Sequence, residues 1–110
     1  MTASYFVRYQ GTFADSERFL AHYAGPHARI LAEFPGIRSL VLHRPVSWTD
    51  PFPVDPGGSA LLAQMSFDSA AALNLALASD ARRRARDDFA KFPAFDGAVS
   101  HEAMNATVVF

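Results

Sequence analysis

Apolar residues recur along this chain in runs whose period alternates between that of a strand and that of a helix, an order few folds accommodate. Residues 4–10, "SYFVRYQ", are rich in aromatic and β-branched side chains and read as a first strand. From Ser16 to Phe34 the apolar positions Phe19, Leu20, Tyr23, Ile30, Leu31 and Phe34 follow helical spacing, with Asp15 placed as N-cap and Pro35-Gly36 as the stop. Strands are expected at 37–44 and 60–67. Two helices should follow, capped by Asp68 and Asp80, and a last strand should lie within 97–110. The order is β-α-β-β-α-β with one extra helix before the final strand. It predicts an α+β, ferredoxin-like single domain over residues 1–110, with helices on one face of a four-stranded antiparallel sheet.

Both parities of the strands carry apolar groups. Tyr5, Val7 and Tyr9 alternate with Phe6 and Arg8, and Leu61, Ala63, Met65 and Phe67 alternate with Leu62. A sheet covered on one side only should alternate more cleanly. The second face is therefore expected to pack on the sheet of an identical chain, making a homodimer.

Inside the first helix, Gly25 and Pro26 interrupt the pattern just before His27. Proline in a helix interior removes a backbone hydrogen bond and clashes with the preceding turn, costing about 3 kcal/mol. Two half-helices would relieve this, Pro26 opening the second and His27 lying among the free N–H groups of its first turn. A kink that lets the helix follow a twisted sheet is the alternative. At about 100° per residue His27 shares the apolar face with Tyr23, whereas His22 falls roughly 140° away among polar residues and is expected to be solvated. In "RRRARDD" (82–88), Asp87 and Asp88 are placed to neutralise Arg83 and Arg84 on a solvated face.

The remaining constraints are exclusions. With no cysteine, disulfides, thiolate nucleophiles and Cys-ligated metal sites are ruled out. The formal net charge of −1 offers no concentrated basic surface for nucleic acid. No apolar run has the length of a membrane span or a secretion signal, so a cytoplasmic protein without membrane contact is expected. There is no glycine-rich phosphate loop, dinucleotide fingerprint or Ser-His-Asp arrangement, and no histidine pair at metal-binding helical spacing; neither a cofactor nor a metal is expected.

The stretch "FLAHYAGPHARILAEFPGIRSLVLHRP" (19–45) resembles the signature of EthD-domain proteins, small members of the dimeric α/β-barrel superfamily. The matching residues are Tyr23 one turn before His27, then Ala28 and Ile30, and the exit Pro35-Gly36-Ile37-Arg38. The resemblance implies a homodimer whose two sheets form a barrel, with a pocket between each sheet and its helices. It also implies a link to ether degradation and oxidoreductase chemistry, with cofactor-free monooxygenases, lactone isomerases and polyketide cyclases as wider relatives.

On this basis His27 is the candidate general base and Tyr23 its catalytic neighbour; Tyr5, Tyr9, Phe19, His43 and Trp48 are candidate substrate contacts. Each also has a plainer reading as core, rim or surface residue. Trp48 and Phe52 stand in a proline-rich loop, 45–59, that is long for a structureless connection and should be anchored by them. The expected activity is cofactor-free chemistry on an apolar carbonyl or aromatic metabolite. An isomerase, a polyketide-type cyclase, a hydrophobic-ligand-binding accessory protein of a degradation pathway and a structural dimer without a site remain alternatives.

Overall fold

The computed structural model describes residues 2–110. Its elements run β1 (Thr2–Phe13), α1 (Ser16–His22), a π-helical turn (Tyr23–His27), α2 (Ala28–Leu31), β2 (Ser39–His43), β3 (Leu61–Phe67), α3 (Ala70–Leu77), α4 (Asp80–Asp88), a 3-10 turn (Phe89–Lys91) and β4 (Phe95–Ala106). The four strands form one antiparallel sheet in the order β2-β3-β1-β4, and the helices lie on one of its faces. This is the expected α+β, ferredoxin-like arrangement.

Strand parity selects the core. Tyr5, Val7 and Tyr9 of β1 stand beside Met65, Ala63 and Leu61 of β3, and all six are buried under the helices. Phe19 and Tyr23 come down from the first helix onto Tyr9, their rings 5.5 and 6.2 Å from its ring in edge-on contact. Burying one such side chain contributes about 2–3 kcal/mol.

The opposite parity is more polar than the sequence pattern implied. Phe6, Val41, Leu62 and Met104 share the outer face with Ser4, Arg8, Gln64, Ser66 and His43, which bond to one another and to the loop. His43 donates from Nε2 to Gln64 Oε1 at 3.0 Å. Phe6 and Leu62 make this parity look apolar in single strands, whereas across the sheet its polar residues are linked by hydrogen bonds between residues distant in sequence.

Helix ends obey capping chemistry with two reassignments. Asp15 accepts from the Arg18 N–H as expected. Asp68 and Asp80 do not cap; Ser69 and Ser79 do, accepting from Ala72 N–H and Arg82 N–H at 3.1 and 3.3 Å. Asp68 is held instead by Arg38, and Asp80, already in the first turn of α4, by Arg83 and Arg84. The loop 45–59 has no regular structure, and within the protomer Trp48 and Phe52 are 60% and 74% exposed. The expected anchoring is thus absent in a single chain; local turns, such as Phe52 N–H to Asp50 Oδ1 at 2.9 Å, shape the segment instead.

Strands β1 and β4 pair over their full length, with Gly11 opposite Gly97 near one end. Both have φ 155°, and a Cβ on either would lie 2.2 Å from a carbonyl oxygen of the facing strand. Only glycine permits this approach, beyond which Phe13 and Phe95 meet with ring centroids 4.7 Å apart. Gly11→Ala is expected to destabilise the fold by roughly 2–3 kcal/mol through backbone strain, measured by urea unfolding. A loss no larger than that of Ala substitutions at exposed strand positions would show that the strands can separate freely there.

Candidate functional site

The helix carrying His27 does not break. Backbone angles stay helical at His22, Tyr23, His27 and Ala28, and the Gly25-Pro26 disturbance is absorbed as one π-helical turn. The expected second helix start, with its free N–H groups around His27, is therefore absent. A π turn closes hydrogen bonds between residues five apart, so it stacks His22 over His27 where an ordinary helix would separate them. His22 is accordingly not solvated on the polar face.

Both imidazoles converge on one carboxylate oxygen. His22 Nε2 lies 2.8 Å and His27 Nδ1 2.9 Å from Oδ2 of Asp88, at the last residue of α4. Asp88 is 6% exposed and His27 3%. Asp88 thus leaves the role predicted for it; Arg83 is bound by Asp80, and Arg84 by Asp80 and Glu33. An ionised carboxylate only accepts hydrogen bonds, so each ring nitrogen facing it carries a proton. This fixes the neutral tautomer of His27 with Nε2 as its basic nitrogen. Burial raises the Asp88 carboxyl, but the bonds to His27 and His22 outweigh it and hold the group below its usual value. For His27, burial is the largest influence and lowers its affinity for a proton, against the opposing pull of Asp88.

His27 lines a narrow cavity of about 40 Å³ between helices and sheet, together with Tyr5, Tyr9 and Tyr23. The rings of Tyr23 and Phe92 stand edge-on to the imidazole, each 4.9 Å away. Tyr9 is fully buried, and among the described residues its hydroxyl is the one buried side-chain oxygen or nitrogen without a well-formed hydrogen bond, the Tyr23 phenol being the group that interacts with it. Burial pushes the Tyr9 phenol up to about 12 and raises Tyr23 well above its ordinary value, so both stay protonated near neutrality. The cavity is therefore lined by a basic nitrogen and three tyrosines among apolar side chains, with Arg82, Arg86 and His101 at its border.

Four of the candidates, Tyr5, Tyr9, Tyr23 and His27, meet in this cavity. Phe19, His43 and Trp48 do not line it: Phe19 packs in the aromatic core, His43 projects from the outer sheet face, and Trp48 lies on the exposed loop. Sequence reasoning missed Asp88 and His22 as members of the site. The signal available was the Gly-Pro disturbance itself, since an extra residue in one helical turn changes which side chains share a face. Among the described residues no group of three or more His, Cys, Asp or Glu side chains is arranged to hold a metal, and no helix is long and apolar enough to cross a membrane.

No protein-family model and no curated protein matches the chain. Solved structures do. An EthD-family protein of Bacillus halodurans superposes with a TM-score of 0.74 at 21% identity, covering 97% of this chain and all of that one. SnoaB of Streptomyces nogalater, a cofactor-independent oxygenase whose structure was solved as an N63A mutant, matches at 0.64 and 18%, covering 98% and 95%. A monooxygenase of Streptomyces coelicolor, solved with nanaomycin D, matches at 0.66 and 15%, covering 99% and 89%. At these identities the matches establish the fold: the chain has the ferredoxin-like architecture that EthD proteins and these oxygenases share.

Two outcomes follow for the cluster of His22, His27 and Asp88. Asp88→Ala leaves both imidazole N–H groups without their acceptor and should lower stability by about 2–3 kcal/mol in chemical denaturation. The second concerns pH. The unfolded chain protonates His27 near pH 6.5, whereas the folded protein does so only at lower pH, so protons favour unfolding between the two values. Stability contributed by neutral His27 is present above about pH 6.5 and lost as pH falls through its folded value; Asp88, also lowered, adds a loss of the same sign in the acidic carboxylate range. The thermal midpoint should fall between about pH 7 and about pH 5, and His27→Gln should flatten that fall. A midpoint that rises over this interval would overturn the assignment.

Proposed function

We propose that the protein is an EthD-like enzyme that acts without a bound organic cofactor on a small aromatic or carbonyl-bearing molecule, with His27 as general base. The observation that carries this reading is the buried, Asp88-tethered imidazole that lines one cavity with the tyrosines Tyr9 and Tyr23. Nε2 of His27 takes a proton from a phenol or from carbon beside a carbonyl. Asp88 stabilises the imidazolium that forms and fixes the ring's orientation. Tyr9 and Tyr23 donate hydrogen bonds to the oxyanion, as groups that remain protonated at neutral pH.

Likeness in fold to a cofactor-independent oxygenase supports dioxygen as the second substrate. The carbanion forms a C–O bond to dioxygen, which it reduces to a peroxide anion, and the His27 imidazolium returns its proton to give the hydroperoxide. Cleavage of the O–O bond with loss of the remaining hydrogen on that carbon releases water and leaves a carbonyl. The cavity of about 40 Å³ is far smaller than the several hundred Å³ of an ordinary ligand site, so binding requires side chains at its mouth to move. Phe89 and Arg86, which are both surface-accessible, stand at that mouth.

The proton-transfer step can be tested before the natural substrate is known. Exchange of acidic C–H protons of small phenols and β-dicarbonyls into D2O, followed by NMR, should be accelerated by the protein. His27→Gln should reduce that acceleration by about 10²-fold or more. Equal exchange by wild type and variant would exclude His27 as the base, and oxygen uptake separates oxygenation from isomerisation or cyclisation.

The homodimer expected from the sequence belongs to the same proposal. Phe6, Leu62, Val41 and Met104 form an incompletely covered outer sheet face, with Val41 44% and Met104 52% exposed. A second copy packed face to face would remove them from water, and the surrounding Arg8, Gln64 and His43 would supply polar contacts at the rim. Sedimentation should show a dimer at micromolar concentration; a stable monomer would remove the barrel from the proposal.

A further inference from the structure

The helices leave the inner side of β4 open. A groove of about 360 Å³ there is lined by Arg86, Phe89, Val99 and His101, and three of these, Arg86, Phe89 and His101, also border the cavity of His27. Groove and cavity are therefore adjacent, and these three side chains stand between them on the way from the surface to the imidazole.

Helix α4 presents its four arginines in two ways. Arg83 and Arg84 are engaged by Asp80 and Glu33 on the side away from the cavity. Arg82 and Arg86, one turn apart, border the cavity instead, and among the described residues neither has a carboxylate within ion-pair distance. Two like charges at this spacing weaken a helix slightly. The Arg82 guanidinium lies over the Tyr5 ring, 5.9 Å from its centroid, and the His101 ring lies 6.0 Å from Tyr5 on the strand side. Burial, with the two guanidinium groups, keeps His101 from taking a proton readily. Among the described residues, no Asp or Glu lines either the groove or the cavity. The path thus has a cationic mouth and an aromatic interior, with the Asp88 carboxylate lying behind the imidazole and bonded to it.

We propose that this path takes an aromatic carboxylate, its ring directed inward toward His27 and its acid group held at the mouth by Arg82 and Arg86. The planar guanidinium fork matches a carboxylate in two parallel hydrogen bonds, and the neighbouring Phe89 and Tyr5 rings suit an aromatic body. The inference rests on the reading of the His27 cavity as a ligand site and revises the expectation of a purely apolar ligand.

The test compares 4-hydroxybenzoate with 4-hydroxybenzyl alcohol, which has nearly the same shape and no charge, by calorimetry and by NMR of the histidine ring signals. The wild-type protein should bind the acid at least about 10-fold more tightly, an advantage that shrinks as salt is added. In Arg82→Met/Arg86→Met the preference should disappear while the alcohol binds as before; Arg86→Met alone, at an exposed position, should lose part of it and serves if the double variant does not fold. Equal binding of both compounds at the His27 signal by the wild type would overturn the carboxylate assignment and leave the cavity reading intact. No perturbation of His27 by either compound would overturn both.

Discussion

One carboxylate oxygen ties the two halves of the helical layer together. Asp88 ends α4, His22 and His27 sit on the first helix, and the three meet below the surface at 2.8 and 2.9 Å. A buried carboxylate left alone would carry a large desolvation penalty, and two imidazole donors offset it. Because each donor needs a fixed tautomer, the same contact that orients α4 also decides which nitrogen of His27 remains basic. Structure and chemistry are coupled through one atom, and the sheet supplies the other wall by placing Tyr5 and Tyr9 on the parity that faces the helices.

The fold was legible because period and punctuation agree along most of the chain. Alternation in 4–10 and 60–67, the Pro35-Gly36 stop and the Asp15 cap each report a local preference that packing leaves in place. The cavity was partly legible for the same reason: Tyr5 and Tyr9 share a strand parity, and Tyr23 and His27 share a helical face. What escaped was set by distance in sequence. Asp88 is 61 residues from His27, and its neighbours Arg83 and Arg84 offered a nearer and plausible partnership. His22 escaped because helical angles were projected with a uniform pitch that the π turn does not have. Trp48 and His43 were assigned to the cavity on residue type, and type does not tell which face of a sheet or which end of a loop a side chain occupies.

The polar inventory of the cavity is also what distinguishes it from a packed core. A packed core rarely gathers an Asp-bound imidazole, two buried phenols and two arginines around one space, as this cavity does. The larger grooves elsewhere, such as that bordered by Phe13, Phe19 and Arg44, bring together no comparable set of proton-donating and proton-accepting groups.

The π turn has a consequence for how such a site is gained or lost. It amounts to one residue more than an ordinary helix would use between His22 and His27. Excising a single residue there, such as Gly25, would leave a regular helix with the two histidines four residues apart, still on one face and turned toward Asp88. The double-imidazole clamp therefore depends on the pitch of one turn matching the number of residues it holds. The same residues wound as an ordinary helix would set the imidazoles roughly 140° apart and dismantle it.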